Sequence, residues 1–302
     1  MTKIVVTQDL GLNEEERQRL NKLGEVQYYE NLSKTPEEWL ERCKKADIIC
    51  TGKFGLVKKY QELENVFLSL PFVAVSFFDI QKLKEKNIKV SNCPGCNKEA
   101  VSEWVIAMIL NLFRDLPNWT NKLEFQTNIP KETRGLSNKN ITILGKGNIG
   151  TKVGEICEVL EMNVRYFIKG DNLIDSIKDA DVVVDALGVN ESTINLLNET
   201  FFNSFKKGSY FITTTSTKIY DTDAMLEALN NNILAGIAND CGSIQVGDIY
   251  DLSYIKLAKI PKVLATPHIA YNTDVTDRKA NKMMIDNIEA YLKSNPINLI
   301  NL

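Results

Sequence analysis

The hexapeptide 145–150, Gly-Lys-Gly-Asn-Ile-Gly, constrains the fold of this chain more than any other feature. It follows an apolar run at 141–144 that predicts a strand, and it precedes a helical pattern at 149–160. In such a turn the first glycine permits the tight bend, the second lets the backbone approach a pyrophosphate, and the third lets helix and strand pack closely. The hexapeptide predicts either a dinucleotide site, formed by Gly145, Gly147, Asn148, Ile149 and Gly150, or a tight turn without a ligand.

Short apolar runs alternate with helical patterns along most of the chain, as is typical of an α/β fold. Strands are predicted at 3–6, 26–29, 48–50, 67–70, 88–90, 141–144, 164–168, 181–186, 210–213, 233–238 and 263–265. Helices are predicted at 13–23, 99–116, 149–160, 221–229 and 274–292. Pro117 is expected to end the second of these helices.

Charge and hydropathy exclude several classes of partner for this 302-residue chain. The formal net charge is −3 and no basic block stands out, which argues against nucleic acid. The longest apolar runs are far shorter than the roughly 20 residues of a membrane span. Because the chain begins Met1-Thr2-Lys3 without a charged and then apolar leader, we expect a cytoplasmic protein with no membrane partner.

The chain has six cysteines and one histidine, His268. Cys93-Pro94-Gly95-Cys96 has the spacing of a redox pair or of half a zinc site. A zinc site needs about four ligands, and no second such pair is present. We therefore expect no metal and favour a plain loop for these two cysteines.

The residues after the predicted strand at 164–168 bear on the choice of dinucleotide. An NAD site places an acidic residue there to bind the ribose hydroxyls. Ile168 cannot accept a hydrogen bond, whereas Lys169 could meet a 2′-phosphate. NADP is therefore slightly favoured, although Asp171 is close enough to leave NAD open.

Several further motifs in the right order make the chain resemble the D-isomer-specific 2-hydroxyacid dehydrogenase family. The segment 265–270, Ala-Thr-Pro-His-Ile-Ala, is similar to the catalytic-histidine signature of that family. The loop 187–198, which contains Thr193, resembles the loop near the nicotinamide. The segment 207–212 matches the next strand, and residues 92–103 match a hinge and the helix after it.

The resemblance implies an architecture and an assembly. It implies a Rossmann-type doubly wound cofactor domain at 99–270, inserted in a smaller flavodoxin-like α/β substrate domain at 1–98 and 271–302, with a cleft between them. It also implies a homodimer and a small-molecule substrate. Asp240 matches the nicotinamide-side aspartate of the family, and Thr214 is a further expected cofactor-binding residue.

The resemblance further implies an arginine, a glutamate and a histidine as the catalytic set, and two of these are replaced. His268 stands at the histidine position, Ser216 at the arginine position and Gln245 at the glutamate position. Glutamine at that position is similar to the formate-dehydrogenase branch of the family. A serine cannot make the bidentate grip of an arginine on a substrate carboxylate. Lys218 and Lys53 are candidates to supply the missing positive charge.

Three functions remain open from the sequence. The first is an NAD(P)-dependent oxidoreductase that transfers hydride to or from a small 2-oxo or other carbonyl compound through an atypical substrate grip. The second is a cofactor-binding regulator with little or no turnover. The third retains the scaffold for non-redox chemistry. We favour the first because the histidine signature and the glycine turn are both retained.

Overall fold

The computed structural model describes residues 1–117, 132–240 and 252–300. Its strands are β1 (Lys3–Val6), β2 (Glu25–Tyr28), β3 (Ile48–Cys50), β4 (Phe67–Ser69), β5 (Lys89–Ser91), β6 (Asn140–Leu144), β7 (Asn163–Phe167), β8 (Val182–Asp185), β9 (Ser209–Thr213), β10 (Leu234–Asn239) and β11 (Val263–Ala265). Its α-helices are α1 (Glu14–Asn21), α2 (Pro36–Cys43), α3 (Leu56–Lys59), α4 (Ile80–Glu85), α5 (Lys98–Phe113), α6 (Asn148–Val159), α7 (Leu173–Ile177), α8 (Glu199–Asn203), α9 (Thr222–Asn230), α10 (Leu252–Ala258) and α11 (Asp274–Leu292).

The chain divides into two compact units, Met1–Asn97 with Asn272–Leu302, and Lys98–Tyr271. In the first unit the strands form a parallel sheet of order β2-β1-β3-β4-β5. This is the flavodoxin-like order. All residues of β3 and β4 are buried, as expected for a parallel sheet covered on both faces.

The C-terminal helix α11 packs in the first unit although it is the last helix in the chain. The Ser69 hydroxyl donates to the Met284 carbonyl at 2.7 Å, and the ring of Phe67 stacks on that of Tyr291 with centroids 4.1 Å apart. The guanidinium of Arg19 in α1 also bonds the carboxylates of Asp286 and Glu289. These contacts complete a small α/β unit from the two ends of the chain.

The second unit contains a six-stranded sheet of order β11-β10-β9-β8-β6-β7, in which every adjacent pair is parallel. Val182 and Val184 of β8 face a core shared with α5 and α6, whereas Val183 faces a core shared with α8 and α9. Helices thus cover both faces of the sheet. The predicted fold class, a Rossmann-type doubly wound domain inserted in a smaller flavodoxin-like α/β domain, is confirmed.

The order of the second sheet reverses between β6 and β8. The chain passes from β6 to β7 on one side and then crosses to β8 on the other side of β6. In open parallel sheets, ligands bind in the crevice outside the carboxyl ends of the strands at such a switch point. Gly145 follows β6 at this edge, and Asp185 is the last residue of β8.

The predicted end of the long helix was wrong. The sequence placed it at 116, before Pro117, but α5 ends at Phe113, and Asp115 adopts a left-handed φ of 50° that turns the chain out of the helix. The sequence also missed short helices such as α3 and α7, because four or five residues carry too little periodicity to detect. No helix in the described ranges is long and apolar enough to span a membrane.

Candidate functional site

The glycine turn after β6 adopts a geometry that requires two of its glycines. Gly145 has a left-handed φ of 97°, and its N–H donates to the Phe167 carbonyl of β7 at 2.9 Å. A Cβ at Gly150 would lie 2.1 Å from the Gly145 carbonyl oxygen. The first glycine therefore permits the bend and the third lets α6 start directly against it, as the sequence predicted.

The second glycine faces open space at the start of α6. A Cβ built on Gly147 meets no atom within 4 Å. Gly147 is the N-cap of α6, no side chain caps this helix, and its first turn holds no acidic residue. By contrast, α9 is capped by the carboxylate of Asp221. Uncapped N–H groups at the start of α6 fit a pyrophosphate, for which they provide hydrogen bonds and a favourable dipole.

The exposed Asn148 and the half-buried Ile149 are the first two residues of that helix. Ile149 packs against the core between α6 and the sheet, so its side chain anchors the turn. Their backbone N–H groups are the part of each residue that could hold an anion.

The chain after β7 presents positive charge. Lys169 is exposed and is followed by Gly170 in a left-handed conformation of φ 107°. The Asp171 carboxylate accepts the Ile168 N–H at 2.9 Å, so it closes its own turn. The ammonium of Lys146, within the glycine turn, lies 4.8 Å from the centroid of the Tyr166 ring. Sequence reasoning did not single out Lys146, because the pairing with Tyr166 needs the β6–β7 register.

Thr193, predicted to contact the cofactor, uses its hydroxyl within its own loop. The hydroxyl donates to the Gly188 carbonyl at 2.7 Å and accepts the Asn190 N–H at 2.9 Å. Thr193 therefore shapes the loop after β8, and its contact with a cofactor stays a prediction.

Ser216 lies in a turn after β9. Its hydroxyl oxygen accepts the Lys218 N–H at 3.3 Å, and its carbonyl accepts the Ile219 N–H at 3.0 Å. The hydroxyl proton of Ser216 is not used in that contact. Thr214, two residues earlier, is half-buried, and Lys218 is exposed.

Lys53, the other candidate cation, belongs to the first unit. Its ammonium lies 5.5 Å from the centroid of the Phe72 ring, and burial lowers its pKa. A lysine of this kind carries its proton less firmly than a surface lysine. Substitution for the missing arginine stays a prediction for both Lys53 and Lys218.

The backbone of His268 is left-handed, with a φ of 54°. Its N–H donates to the Thr266 carbonyl at 3.0 Å, which closes a tight turn, and its ring lies 5.4 Å from that of Tyr271. The side chain is 32% exposed, so the imidazole remains accessible to a reactant. A left-handed histidine is a strained conformation that the surroundings must hold in place.

Asp240, directly after β10, holds this turn. Its carboxylate accepts the Thr266 hydroxyl at 2.5 Å and the Ile269 N–H at 2.9 Å on one oxygen, and the Ala270 N–H at 2.9 Å on the other. The second oxygen lies 3.9 Å from Nδ1 of His268. Asp240 is 2% exposed, and the described hydrogen bonds of its carboxylate come from the histidine turn. The predicted contact with the nicotinamide stays a prediction.

Gln245, the predicted partner of His268, lies outside the described residues.

The Cys93 thiol is buried and points at the carbonyls of Leu70 and Ala280, at 3.1 and 3.3 Å. Burial raises the pKa of Cys93 well above its ordinary value, so the thiol stays protonated. This environment is typical of a structural cysteine. Among the described residues, no three His, Cys, Asp or Glu side chains are grouped to hold a metal.

The sequence analysis also missed Asp185, a fully buried carboxylate at the switch point. It accepts the hydroxyls of Thr213 and Thr215 of the neighbouring strand end. Nothing local in the run Val182–Asp185 signals this, because the partners come from β9, a separate part of the sequence.

Comparisons with known proteins agree with this geometry. Residues 106–270 match the model of the NAD-binding domain of D-isomer-specific 2-hydroxyacid dehydrogenases. A D-lactate dehydrogenase of Streptococcus agalactiae is 26% identical over 224 residues, which cover 66% of this chain and 68% of that protein.

Two solved structures are similar to this chain over nearly its whole length. One is an acyclic imino acid reductase in complex with NADPH and D-Arg, with a TM-score of 0.83, 22% identity and coverage of 99% of this chain and 100% of that one. The other is a D-lactate dehydrogenase of Treponema pallidum, with a TM-score of 0.80, 21% identity and full coverage of both chains, 100% each. At these identities the likeness establishes the fold.

Proposed function

The chain belongs to the D-isomer-specific 2-hydroxyacid dehydrogenase family, and from that premise we propose that it is an NAD(P)-dependent oxidoreductase of a small carbonyl compound, with His268 as general acid and base. One observation carries the proposal. The strained turn of His268 is held by the buried Asp240 carboxylate, which follows β10 in the sheet whose β6 leads into the glycine turn. The accessible imidazole is thus held at the same carboxyl edge of the sheet as the glycine turn, where a group that exchanges a proton with a bound reactant would have to lie.

Different residues of the chain would bind the cofactor and transfer the proton. A bound nicotinamide would supply or accept the hydride. Gly147 and the uncapped start of α6 would hold the pyrophosphate. His268 would donate a proton to the carbonyl oxygen in the reduction and remove it from the hydroxyl in the reverse direction. Asp240 would keep the imidazole in place, and Gln245 would orient it by a hydrogen bond.

The substrate grip differs from that of ordinary relatives because Ser216 replaces the arginine. Its hydroxyl, which accepts the Lys218 N–H, would provide one neutral donor where the guanidinium would provide a charged fork. Loss of one such donor costs about 3–4 kcal/mol of transition-state stabilisation. We therefore propose a carbonyl substrate without the standard 2-oxo acid carboxylate, or one whose carboxylate is bound by Lys53 or Lys218.

Two observations support a preference for NADP over NAD. Lys169 and Lys146 place two cations by the turn, where a 2′-phosphate would need them. A neighbour in structure, the acyclic imino acid reductase, was solved with NADPH.

The test is a titration with NADPH and NADH, followed by a substrate panel. The panel contains 2-oxo acids, aldehydes, neutral ketones and the imines formed from oxo acids and amines. The absorbance of the reduced nicotinamide reports turnover. We expect NADPH oxidation with neutral carbonyl compounds, weak oxidation with pyruvate, and loss of turnover in His268→Ala.

A second candidate is a family member that binds the cofactor without turnover, either as a regulator or for non-redox chemistry. Ser216 in place of the arginine favours it, since that change removes a catalytic group. Tight NADPH binding with no oxidation across the panel would select this candidate.

The homodimer and the cytoplasmic location stay predictions, which size-exclusion chromatography and cell fractionation test.

A further inference from the structure

A carboxylate that has no partner of opposite charge among the described residues lies buried beside the proposed cofactor site. Asp185 is 0% exposed, and in the sheet it stands opposite Leu144 of β6 and Thr213 of β9. The groups that hydrogen-bond its carboxyl belong to Thr215, Leu187 and Thr213, none of which is charged. Buried acids are usually paired with a cation, so this one needs an explanation.

The hydrogen bonds of Asp185 connect three segments of the second unit. One carboxylate oxygen accepts the Leu187 N–H at 3.1 Å, at the start of the loop after β8. The other oxygen accepts the hydroxyls of Thr213 at 3.1 Å and Thr215 at 2.5 Å. The Thr213 hydroxyl oxygen in turn accepts the Thr215 N–H at 3.2 Å.

This network is directional because an ionised carboxylate can only accept hydrogen bonds. The Thr215 hydroxyl therefore donates to Asp185, and the Thr213 hydroxyl, which lies 3.1 Å from both Asp185 Oδ2 and Thr215 Oγ1, donates to one of these two acceptors. With its proton so directed, the Thr213 oxygen is free to accept the Thr215 N–H, which bends the chain directly before Ser216. An asparagine at 185 offers one uncharged acceptor oxygen in place of two charged ones, so it would hold the two hydroxyls less firmly.

We propose that Asp185 is a positioning residue, which fixes the segment 214–218, and Ser216 with it, through the hydroxyls of Thr213 and Thr215. The role in substrate binding rests on the proposed function, whereas the effect on the segment does not. Asp185 ends β8 at the switch point beside the glycine turn, so the same side chain also ties the loop at Leu187 to this edge.

The cost of the arrangement supports a functional role. Burial raises the pKa of Asp185 to about 6, which means that the ionised form is disfavoured in the folded protein. Residues that reduce stability are common where function requires a defined geometry.

The test compares Thr215→Val, Thr215→Ser and Asp185→Asn in the full chain, with Thr142→Val as control. The Thr142 hydroxyl is also buried in this sheet, where it donates to the Ser176 carbonyl at 2.6 Å, so its loss removes a comparable hydrogen bond away from the segment. The first readout is amide hydrogen exchange of peptides that cover 214–218. The second is the KM and kcat of the carbonyl compound that the substrate panel identifies.

We expect Thr215→Val and Asp185→Asn to accelerate exchange at 214–218 about tenfold, the size expected for one lost hydrogen bond to a charged acceptor. Thr215→Ser, which keeps the hydroxyl, should retain the slow exchange of wild type. Thr142→Val should leave the exchange of residues 214–218 unchanged. In turnover, Thr215→Val should raise KM more than it lowers kcat. Exchange in Thr215→Val equal to that in Thr142→Val would overturn the proposal, and this comparison holds even if no substrate is found.

Discussion

Asp240 Oδ2 lies 3.9 Å from Nδ1 of His268 and accepts the N–H of Ala270, two residues further along the same turn. One buried carboxylate therefore both faces the imidazole and fixes the backbone that carries it. The hydrogen bonds that this carboxylate accepts offset the strain of the left-handed φ at His268.

Asp240→Asn tests that relationship. Asparagine keeps the size of the side chain but can accept on one oxygen only, so the turn loses an acceptor and the ring loses the nearby charge. We expect kcat to fall about 10²-fold, with NADPH affinity changed far less. Asp221→Asn is the matched control, because that side chain caps α9, where asparagine is equally good, and turnover should stay unchanged. Wild-type kcat in Asp240→Asn would contradict this role.

Alanine at two glycines of the turn should separate binding from folding. Gly147→Ala adds a Cβ that meets no protein atom within 4 Å, so stability should hold while NADPH affinity falls at least about tenfold. Gly150→Ala places a Cβ 2.1 Å from the Gly145 carbonyl, which should cost about 2 kcal/mol or more of unfolding free energy. Calorimetry measures the change in unfolding free energy, and fluorescence titration measures the NADPH affinity. Equal NADPH affinity in Gly147→Ala and wild type would count against the site.

Lys169→Ala should weaken NADPH binding without affecting NADH. A lost hydrogen bond between an ammonium and a phosphate corresponds to about 1.5–3 kcal/mol, or roughly ten- to hundredfold in affinity. Lys152→Ala is the control, because Lys152 is a surface lysine of α6 paired with Glu155. Titrations of wild type and Lys169→Ala with NADPH and NADH measure both affinities. An equal loss of affinity for the two cofactors would contradict a preference for NADP.

Asp185→Asn should gain stability relative to wild type as the pH rises from 4 to 7, while it disturbs the segment 214–218. Burial raises the pKa of Asp185 from its ordinary 3.8 to about 6, so between these values the folded state binds more protons than the unfolded state. Its contribution to stability is therefore greatest below pH 4 and is lost as the pH rises to about 6. The variant should gain about 2 kcal/mol on wild type between pH 4 and pH 7. Urea unfolding at both values tests this, and a constant difference would refute it.

The sequence was sufficient for the parts of the fold that are local. The glycine turn, the strands on either side of it and the start of α9 at Asp221 follow from apolar periodicity and capping chemistry. The order of the strands could be inferred only through the family resemblance, since pairing such as β6 with β8 joins distant segments. The end of α5 could not be predicted, because the residue with the left-handed backbone, Asp115, is not a glycine.

The same distinction between local features and contacts of distant segments applies to the candidate site. His268 and the glycines could be predicted because each lies in a short motif whose chemistry depends on neighbours in sequence. The partners of Asp185 and Asp240 could not, because their hydrogen bonds reach across the sheet to Thr215 and Ala270. Buried acids of this kind become visible only when strand ends from different parts of the chain are brought together.

The most direct measurement compares wild type with His268→Ala in single-turnover oxidation of bound NADPH by the carbonyl compound from the panel, together with NADPH affinity. If His268 relays the proton, the variant should bind NADPH as wild type does and oxidise it at least about 10²-fold more slowly. Oxidation at the wild-type rate in His268→Ala would contradict the account.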